Sequence, residues 1–179
     1  MGEIDMIKAA VGAFDKADAQ ALTESIRRFY HLCKDACSAI ETMQVDDVKS
    51  LKILNAALSN LYAEALRLPE VHGNFPNMGK MRTYRDATKH YKVCDYGQYF
   101  WTVYCPNAPD SLCQESFEDA LSDICGGLEN GNALYEAGDI DGATALWRNY
   151  FYTHWGKHLV EIIHPLHVLI TEDADMRRK

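Results

Sequence analysis

The stretch from Trp147 to His167, W-R-N-Y-F-Y-T-H-W-G-K-H-L-V-E-I-I-H-P-L-H, constrains the fold more than any other part of this sequence. At about 100° per residue, one arc of a helix carries Trp147, Phe151, His154, His158 and Glu161. After His158 the apolar residues point in every direction, which is typical of a helix buried on all sides. We therefore predict a central helix over residues 142–164. It should kink or end near His164, because Pro165 has no amide donor for the helix.

The rest of the chain also carries helical periodicity, and no segment alternates convincingly as a strand does. The predicted fold is all-α, an antiparallel bundle of five to six helices. Residues 1–170 should form a single domain, and residues 171–179 a charged, frayed tail. The other predicted helices cover residues 3–14, 21–43, 51–68, 83–104 and 111–137, with a break at residues 15–18.

Several local signals mark the ends and contacts of these helices. Asp46 or Asp47 is placed to cap the helix that ends before Pro69, and Ser111-x-x-Gln114 has the form of a capping box. The pair Gly126-Gly127 costs about 2 kcal/mol against two alanines, which predicts either close approach of a neighbouring helix or a local break. The irregular segment 69–82 is interpreted as a flexible crossing, with a lid or a partner contact as the alternative.

Charge and cysteine usage exclude some classes of protein. The net charge of -8 leaves no basic face for a phosphate backbone, so we expect no nucleic-acid partner. No apolar run is long enough for a membrane span, and M-G-E-I-D-M-I-K is unlike a secretory signal. Six cysteines without a C-x-x-C pair indicate free thiols in a reducing compartment, so we expect a cytoplasmic protein.

The histidines of the central stretch are the candidates for metal chemistry. His154, His158 and Glu161 form H-x-x-x-H-x-x-E, which on a helix supplies three ligands to zinc or iron. Asp119 and Asp123 are the candidate carboxylates from a facing helix, but they lie opposite the apolar face of their own helix and should face water. We therefore favour two hydrogen-bonded interior histidines with no cofactor. A metal-binding bundle or metal-dependent enzyme is the alternative.

No catalytic residue can be assigned, because no Ser or Cys stands in a nucleophile-elbow or protease-like context. The first interpretation is therefore a non-enzymatic binding or interaction module for an unknown protein or small-molecule partner, and a homo-oligomer is left open. It would use an aromatic groove, although an aromatic stripe at helical spacing is more often core. The candidate groove residues are Tyr99, Trp101, Tyr104, Trp147, Phe151 and Trp155.

The second half of the chain resembles a bacterial family, domain-of-unknown-function family 5063. The similarity lies in Y-F-W-T-V-Y-C-P, S-F-E-D-A-L-S-D-I, A-L-Y-E-A-G-D and W-R-N-Y-F-Y-T-H-W-G-K-H followed by L-H, over about residues 99–167. The chain departs from the family pattern at Gly127, where a further acidic residue is expected. The resemblance implies an all-helical, soluble, cytoplasmic bacterial protein without an assigned activity. The positions that match the motif are Asp119, Asp123, Trp147, Phe151, His154, Trp155, Gly156, His158 and His167.

Overall fold

The computed structural model describes residues 3–43, 47–71, 99–103 and 112–176, with side chains between residues 19 and 171 of those ranges. These residues form helices and one two-stranded sheet. The elements in chain order are α1 (Glu3–Thr42), α2 (Val48–Ala65), β1 (Tyr99–Val103), β2 (Leu112–Ser116), α3 (Phe117–Glu136), α4 (Ile140–Tyr150), a π-helical turn (Phe151–Trp155) and α5 (Gly156–Met176).

Helix α1 is continuous where the sequence predicts two helices, so the predicted break at residues 15–18 is wrong. Asp15-Lys16-Ala17-Asp18 contains no glycine or proline, and Lys and Ala are good helix formers. The predicted apolar face is otherwise confirmed, except that Leu22 is exposed. The buried residues of this face are Ile26, Phe29, Cys33, Ala36 and Ile40.

Helix α2 follows the sequence prediction closely. Asp47 caps it, and its carboxylate accepts hydrogen bonds from the amides of Lys49 and Ser50. The regular three- and four-residue spacing of its apolar side chains places them all in the core, against α1 and α5. These buried residues are Leu51, Leu54, Leu58, Leu61 and Ala65, with Leu68 just beyond the helix. The remainder of the predicted 69–82 crossing, from residue 72, lies outside the described residues.

A β-hairpin replaces the last described residues of the predicted 83–104 helix and the start of the predicted 111–137 helix. Strands β1 and β2 pair antiparallel with Trp101 opposite Gln114, so the expectation that the chain has no strand is wrong. Y-F-W-T-V consists of aromatic and β-branched residues, which suit a strand as well as a helix seam. Ser111-x-x-Gln114 is not a capping box, because Gln114 lies in β2 and Ser116 caps α3 instead. Residues 83–98 and 104 lie outside the described residues.

Helix α3 packs against the long helix formed by α4, the π-helical turn and α5. A β-carbon at Gly127 would overlap the indole of Trp155, and one at Gly131 would overlap the indole of Trp147. The predicted close approach of a helix at Gly127 is therefore confirmed. Because the later glycine meets the earlier tryptophan, these two helices run in opposite directions. The indole Nε1 of Trp147 also donates a hydrogen bond to the carbonyl of Leu128, at 3.1 Å.

The long helix begins after Asp139, one of two residues placed to cap it, whose carboxylate accepts a hydrogen bond from the amide of Gly142. It differs from its prediction in three ways. It widens into a π-helix at Phe151–Trp155. It does not end near His164, because α5 continues through Pro165 to Met176, into the predicted 171–179 tail. It is not buried on all sides either, since Val160 is 52% exposed. Trp147, Trp155 and the apolar residues Leu159, Ile162 and Leu166 are buried in the core.

The chain is therefore mainly helical, with a small sheet. The predicted count of five to six helices is not confirmed, because the described ranges contain four helices when α4, the π-helical turn and α5 are taken as one. Within those ranges, none of the helices combines the length and the apolar character that crossing a bilayer requires.

Candidate metal centre

Helix α3 brings Asp123 to the long helix. Asp123 lies one turn before Gly127 and therefore on the same side of α3, and Gly127 is pressed against Trp155. This contact corrects the sequence expectation that Asp123 faces water away from the histidines. The buried face of α3 is broader than its leucines suggest, because it includes Ala120, Gly127 and Gly131. Asp123 stands at the edge of this face and is only partly exposed.

His154 and His158 converge on the carboxylate of Asp123. The Nε2 atom of His158 lies 3.3 Å from Oδ2 of Asp123, and the Nε2 atom of His154 lies 3.9 Å from the same oxygen. The two imidazole rings meet edge to face, with centroids 5.3 Å apart. His154 belongs to the π-helical turn, a kind of distortion that is frequent at functional sites, and His158 belongs to α5.

Glu161 lies on the other side of His158, away from Asp123. Its Oε2 atom is 3.6 Å from Nδ1 of His158, so the histidine has a carboxylate beside each ring nitrogen. The other oxygen of Glu161, Oε1, accepts a hydrogen bond from the Thr102 hydroxyl at 3.3 Å and lies 3.5 Å from the Lys157 ammonium. The residue spacing predicts Glu161 as a metal ligand. In the structure Glu161 lies beside Nδ1 of His158, on the side of the ring that faces away from Asp123.

The cluster opens toward solvent on one side. The side chains of His154 and Asp123 are 45% and 37% exposed, whereas those of His158 and Glu161 are 12% and 7% exposed. Asp123, His154 and His158 each offer one ligand atom, and these atoms all lie within 4.8 Å of one another. Two imidazole nitrogens and one carboxylate oxygen form a ligand set that suits zinc or non-haem iron. Asp119, one turn earlier on α3, is exposed and is not one of these ligands.

Comparison with models of protein families identifies one family that matches most of the chain. The family model described as Domain of unknown function (DUF5063) matches residues 20–172. The chain belongs to this family. The DUF5063 match includes Asp123, His154 and His158, and it also takes in most of α1 and all of α2, farther than the resemblance over residues 99–167 extends. No curated protein and no solved structure matches the chain.

The fold separates the five described aromatic residues of the predicted groove. Trp147, Phe151 and Trp155 are buried in the core, so they cannot line a groove that a partner enters. Tyr99 and Trp101 are more than half exposed on β1, and Tyr104 lies outside the described residues. The burial has a physical cause, because α3 offers glycines at the two positions where the indoles meet it.

The sequence did not indicate that Thr102 contributes to the candidate metal centre of this DUF5063 chain. Thr102 comes from β1, and its hydroxyl reaches Glu161 because residues alternate across a strand. Phe100 and Thr102 face the helices, whereas Tyr99, Trp101 and Val103 face outward. Thr102 was hidden because this segment was predicted to be a helix. By contrast, the spacing of Lys157 and Glu161, four residues apart on a helix, is visible in the sequence.

Proposed function

We propose that this protein binds a divalent transition-metal ion, zinc or ferrous iron, through Asp123, His154 and His158. The observation that carries the proposal is the convergence of three ligand atoms from α3, the π-helical turn and α5 within 4.8 Å of one another. Two histidines and one carboxylate are a ligand set used by both ions.

The distances support the proposal if the side chains adjust. Two ligand atoms that each lie about 2.1 Å from one ion in tetrahedral geometry are about 3.4 Å apart. The distances from Asp123 Oδ2 to the two histidine nitrogens are 3.3 and 3.9 Å. All three ligand atoms lie within 4.8 Å of one another, so the widest pair needs a closure of up to about 1.4 Å. The partly exposed side chains of His154 and Asp123 can supply it by rotation, because solvent lies on one side of them.

Burial alone does not explain the histidines, which weakens the interpretation of both as interior residues. His154 is 45% exposed, so its imidazole has access to water and needs no partner in the core. An ion at this position would have three protein ligands and open positions toward solvent. In zinc proteins this arrangement is typical of centres that bind water or substrate, while structural sites are usually closed by four protein ligands. The centre therefore suits activation of a bound water or a small ligand.

The first test is elemental analysis of untagged protein purified without chelators, for zinc, iron, manganese and nickel. We expect close to one ion per chain, and its loss in His154→Gln and Asp123→Asn. Both positions are partly exposed, so these variants should remain folded.

Two matched controls separate the site from general metal affinity. Asp119→Asn changes an exposed carboxylate one turn away on the same helix, and His164→Gln changes an exposed histidine of α5. Both control variants should keep the ion. Wild-type protein that is folded but takes up none of the four metals, even after reconstitution, would contradict the proposal.

The predicted interaction module is the second candidate function. One observation favours it, an apolar outer face on the hairpin where Tyr99, Trp101, Val103 and Leu112 are all more than half exposed. The described residues of this face are mainly aromatic and aliphatic, so they indicate the chemistry of a ligand less directly than the histidine cluster does. A metal-free, folded protein would make the interaction module the preferred interpretation.

A further inference from the structure

The buried side of His158 contains a pair of polar atoms with unmet hydrogen-bonding capacity. His158 Nδ1 and Glu161 Oε2 are both buried, and among the described residues neither has a hydrogen-bond partner. They lie 3.6 Å apart, just beyond a hydrogen bond. A buried carboxylate oxygen without a donor is costly, so a small closure of this gap is favourable.

The surrounding elements hold Glu161 in place for this contact. Glu161 follows His158 by three residues on α5, which puts both side chains on one face of the helix. The Thr102 hydroxyl and the Lys157 ammonium both lie beside Oε1, at 3.3 and 3.5 Å. With one oxygen held by these two groups, the other oxygen is directed at the imidazole. The hairpin therefore contacts the candidate metal centre through the hydrogen bond between Thr102 and Glu161.

We propose that Glu161 is a positioning residue that accepts a hydrogen bond from Nδ1–H of His158 and thereby leaves Nε2 of His158 free to bind the ion. The part that concerns the ion rests on the proposed function. A metal-bound histidine commonly donates its other ring N–H to a carboxylate, which fixes the tautomer and the ring orientation and makes the ligand more basic. Glu161 therefore acts through His158 and is not the fourth ligand.

The arrangement also explains why two carboxylates flank one histidine. Asp123 and the ion share the Nε2 side, where solvent enters, whereas Glu161 occupies the dry Nδ1 side. A positive ion at Nε2 makes Nδ1–H a stronger donor, so loading the site shortens the contact with Glu161. Binding of the ion and the Thr102–Glu161 hydrogen bond then favour each other.

The test uses full-length protein and zinc ions alone as the probe. Competition with a chelating dye gives the zinc affinity of the wild type, Glu161→Gln and Thr102→Val. Loss of an outer carboxylate typically weakens metal binding 10- to 100-fold, and we expect a loss in this range for Glu161→Gln. Thr102→Val keeps Glu161 but removes one of the groups that hold it, so its loss should be smaller. Unchanged zinc affinity in Glu161→Gln would overturn the inference.

A spectroscopic measurement separates positioning from general destabilisation. Nitrogen-15 NMR of the histidine rings should assign the Nδ1–H tautomer to His158 in the zinc-loaded wild type. In metal-free protein, Glu161→Gln should shift the ring nitrogens of His158 and leave those of His31, an exposed residue of α1, unchanged. If wild-type protein binds no zinc but the His158 signals still respond to Glu161→Gln, the proposed function fails while the Glu161–His158 contact stands. Zinc binding with His158 signals that do not respond overturns the role of Glu161 alone.

Discussion

Glycine is required at two positions of α3 because of what lies opposite them. Gly127 and Gly131 are one turn apart, and each meets the indole of a buried tryptophan, Trp155 and Trp147 respectively. Because glycine has no side chain, α3 and the long helix approach closely enough for the two indole rings to pack directly against the α3 backbone. The cost of glycine within a helix, about 1 kcal/mol each against alanine, is offset by the burial of two large aromatic side chains.

Replacing Gly127 by alanine should therefore destabilise the protein, although the same change in an open helix stabilises it. We expect Gly127→Ala to lower the free energy of unfolding by about 1–3 kcal/mol, because the added methyl group overlaps a ring that the core holds in place. Urea denaturation measures the change. In a Trp155→Leu background the effect of Gly127→Ala should shrink or reverse, since the two residues are in contact. Equal losses in both backgrounds would show that the indole is not the cause.

Buried thiols give a second prediction at the level of residues. Burial raises the pKa of Cys33 well above its usual value, and a hydrogen bond with Cys37 together with burial raises that of Cys125. Thiols in the unfolded chain ionise above about pH 8.5, whereas these two thiols stay protonated in the folded chain. The folded state then binds more protons than the unfolded state, so stability falls as the pH rises above about 8.5.

This dependence can be measured between pH 8 and 9, where most lysine and tyrosine side chains are still protonated. The free energy of unfolding should decrease with pH in the wild type, and the slope should flatten in Cys33→Ala/Cys125→Ala. In the folded protein, Cys33 and Cys125 should react with iodoacetamide much more slowly than the half-buried Cys113 of β2. Equal slopes in the two proteins would refute the assignment.

At the scale of elements, the regular helices could be predicted and their exceptions could not. The leucine spacing of α2 and the apolar face of α3 fall where the sequence places them, because a solvent-exposed polar face leaves only one face for the core. The hairpin was not predicted because the five residues of β1 fit two patterns. Tyr99, Trp101 and Val103 alternate with inward-facing residues, as in a strand, but the same sequence also fits one face of a helix. Pairing with β2, a non-local contact, decides between the two.

The π-helical turn is the other exception, and residue spacing explains it. Trp147 and Trp155 both face α3, yet residues eight apart on an α-helix differ in direction by roughly 80°. Residues seven apart differ by only about 20°. A wide turn at Phe151–Trp155 accommodates one extra residue and keeps both indoles on the same side. Uniform 100° steps hide this feature, so the sequence predicts a regular helix up to His164.

Deleting Thr153 should therefore be tolerated. Thr153 is an exposed residue of the π-helical turn, and without it the two tryptophans are seven apart and align on a regular α-helix. We expect the deletion variant to stay within about 1 kcal/mol of the wild type, the usual effect of a surface change, and to remain helical by circular dichroism.

Deletion of Val160 is the matched control for this experiment. Val160 is also exposed but lies in regular α5, so its loss turns every later core residue, such as Ile162 and Leu166, by about 100°. This variant should lose most of its stability. Comparable damage from the two deletions would contradict the account of the π-helical turn.

At the scale of the whole molecule, the candidate centre depends on contacts between elements that the sequence does not display. His154, His158, Glu161 and Asp123 could all be named from spacing alone. Their arrangement could not, because the direction of Asp123 follows from Gly127 meeting Trp155, and the role of Glu161 follows from its place behind His158. Such features depend on how α3 packs against α5, which periodicity within either helix does not encode.

Because the three candidate ligands come from α3, the π-helical turn and α5, an ion bound there would link the stability of the whole fold to metal concentration. Zinc at 100 times its dissociation constant adds about 2.7 kcal/mol to the free energy of unfolding. For a chain of 179 residues this corresponds to a rise in melting temperature of about 5–10 °C. Differential scanning calorimetry with buffered free zinc measures the shift, which should grow with the logarithm of zinc concentration.

The variants decide whether such a shift comes from this centre. His154→Gln removes one proposed ligand and should abolish the shift, whereas His164→Gln, at an exposed position of the same long helix, should retain it in full. Gly127→Ala should lower the melting temperature with and without zinc and also reduce the shift, because Asp123 is carried by the same face of α3. A shift that survives in His154→Gln would place the zinc elsewhere and refute the assigned ligands. An unshifted wild type would leave Asp123, His154 and His158 as a partly exposed polar cluster that binds no zinc.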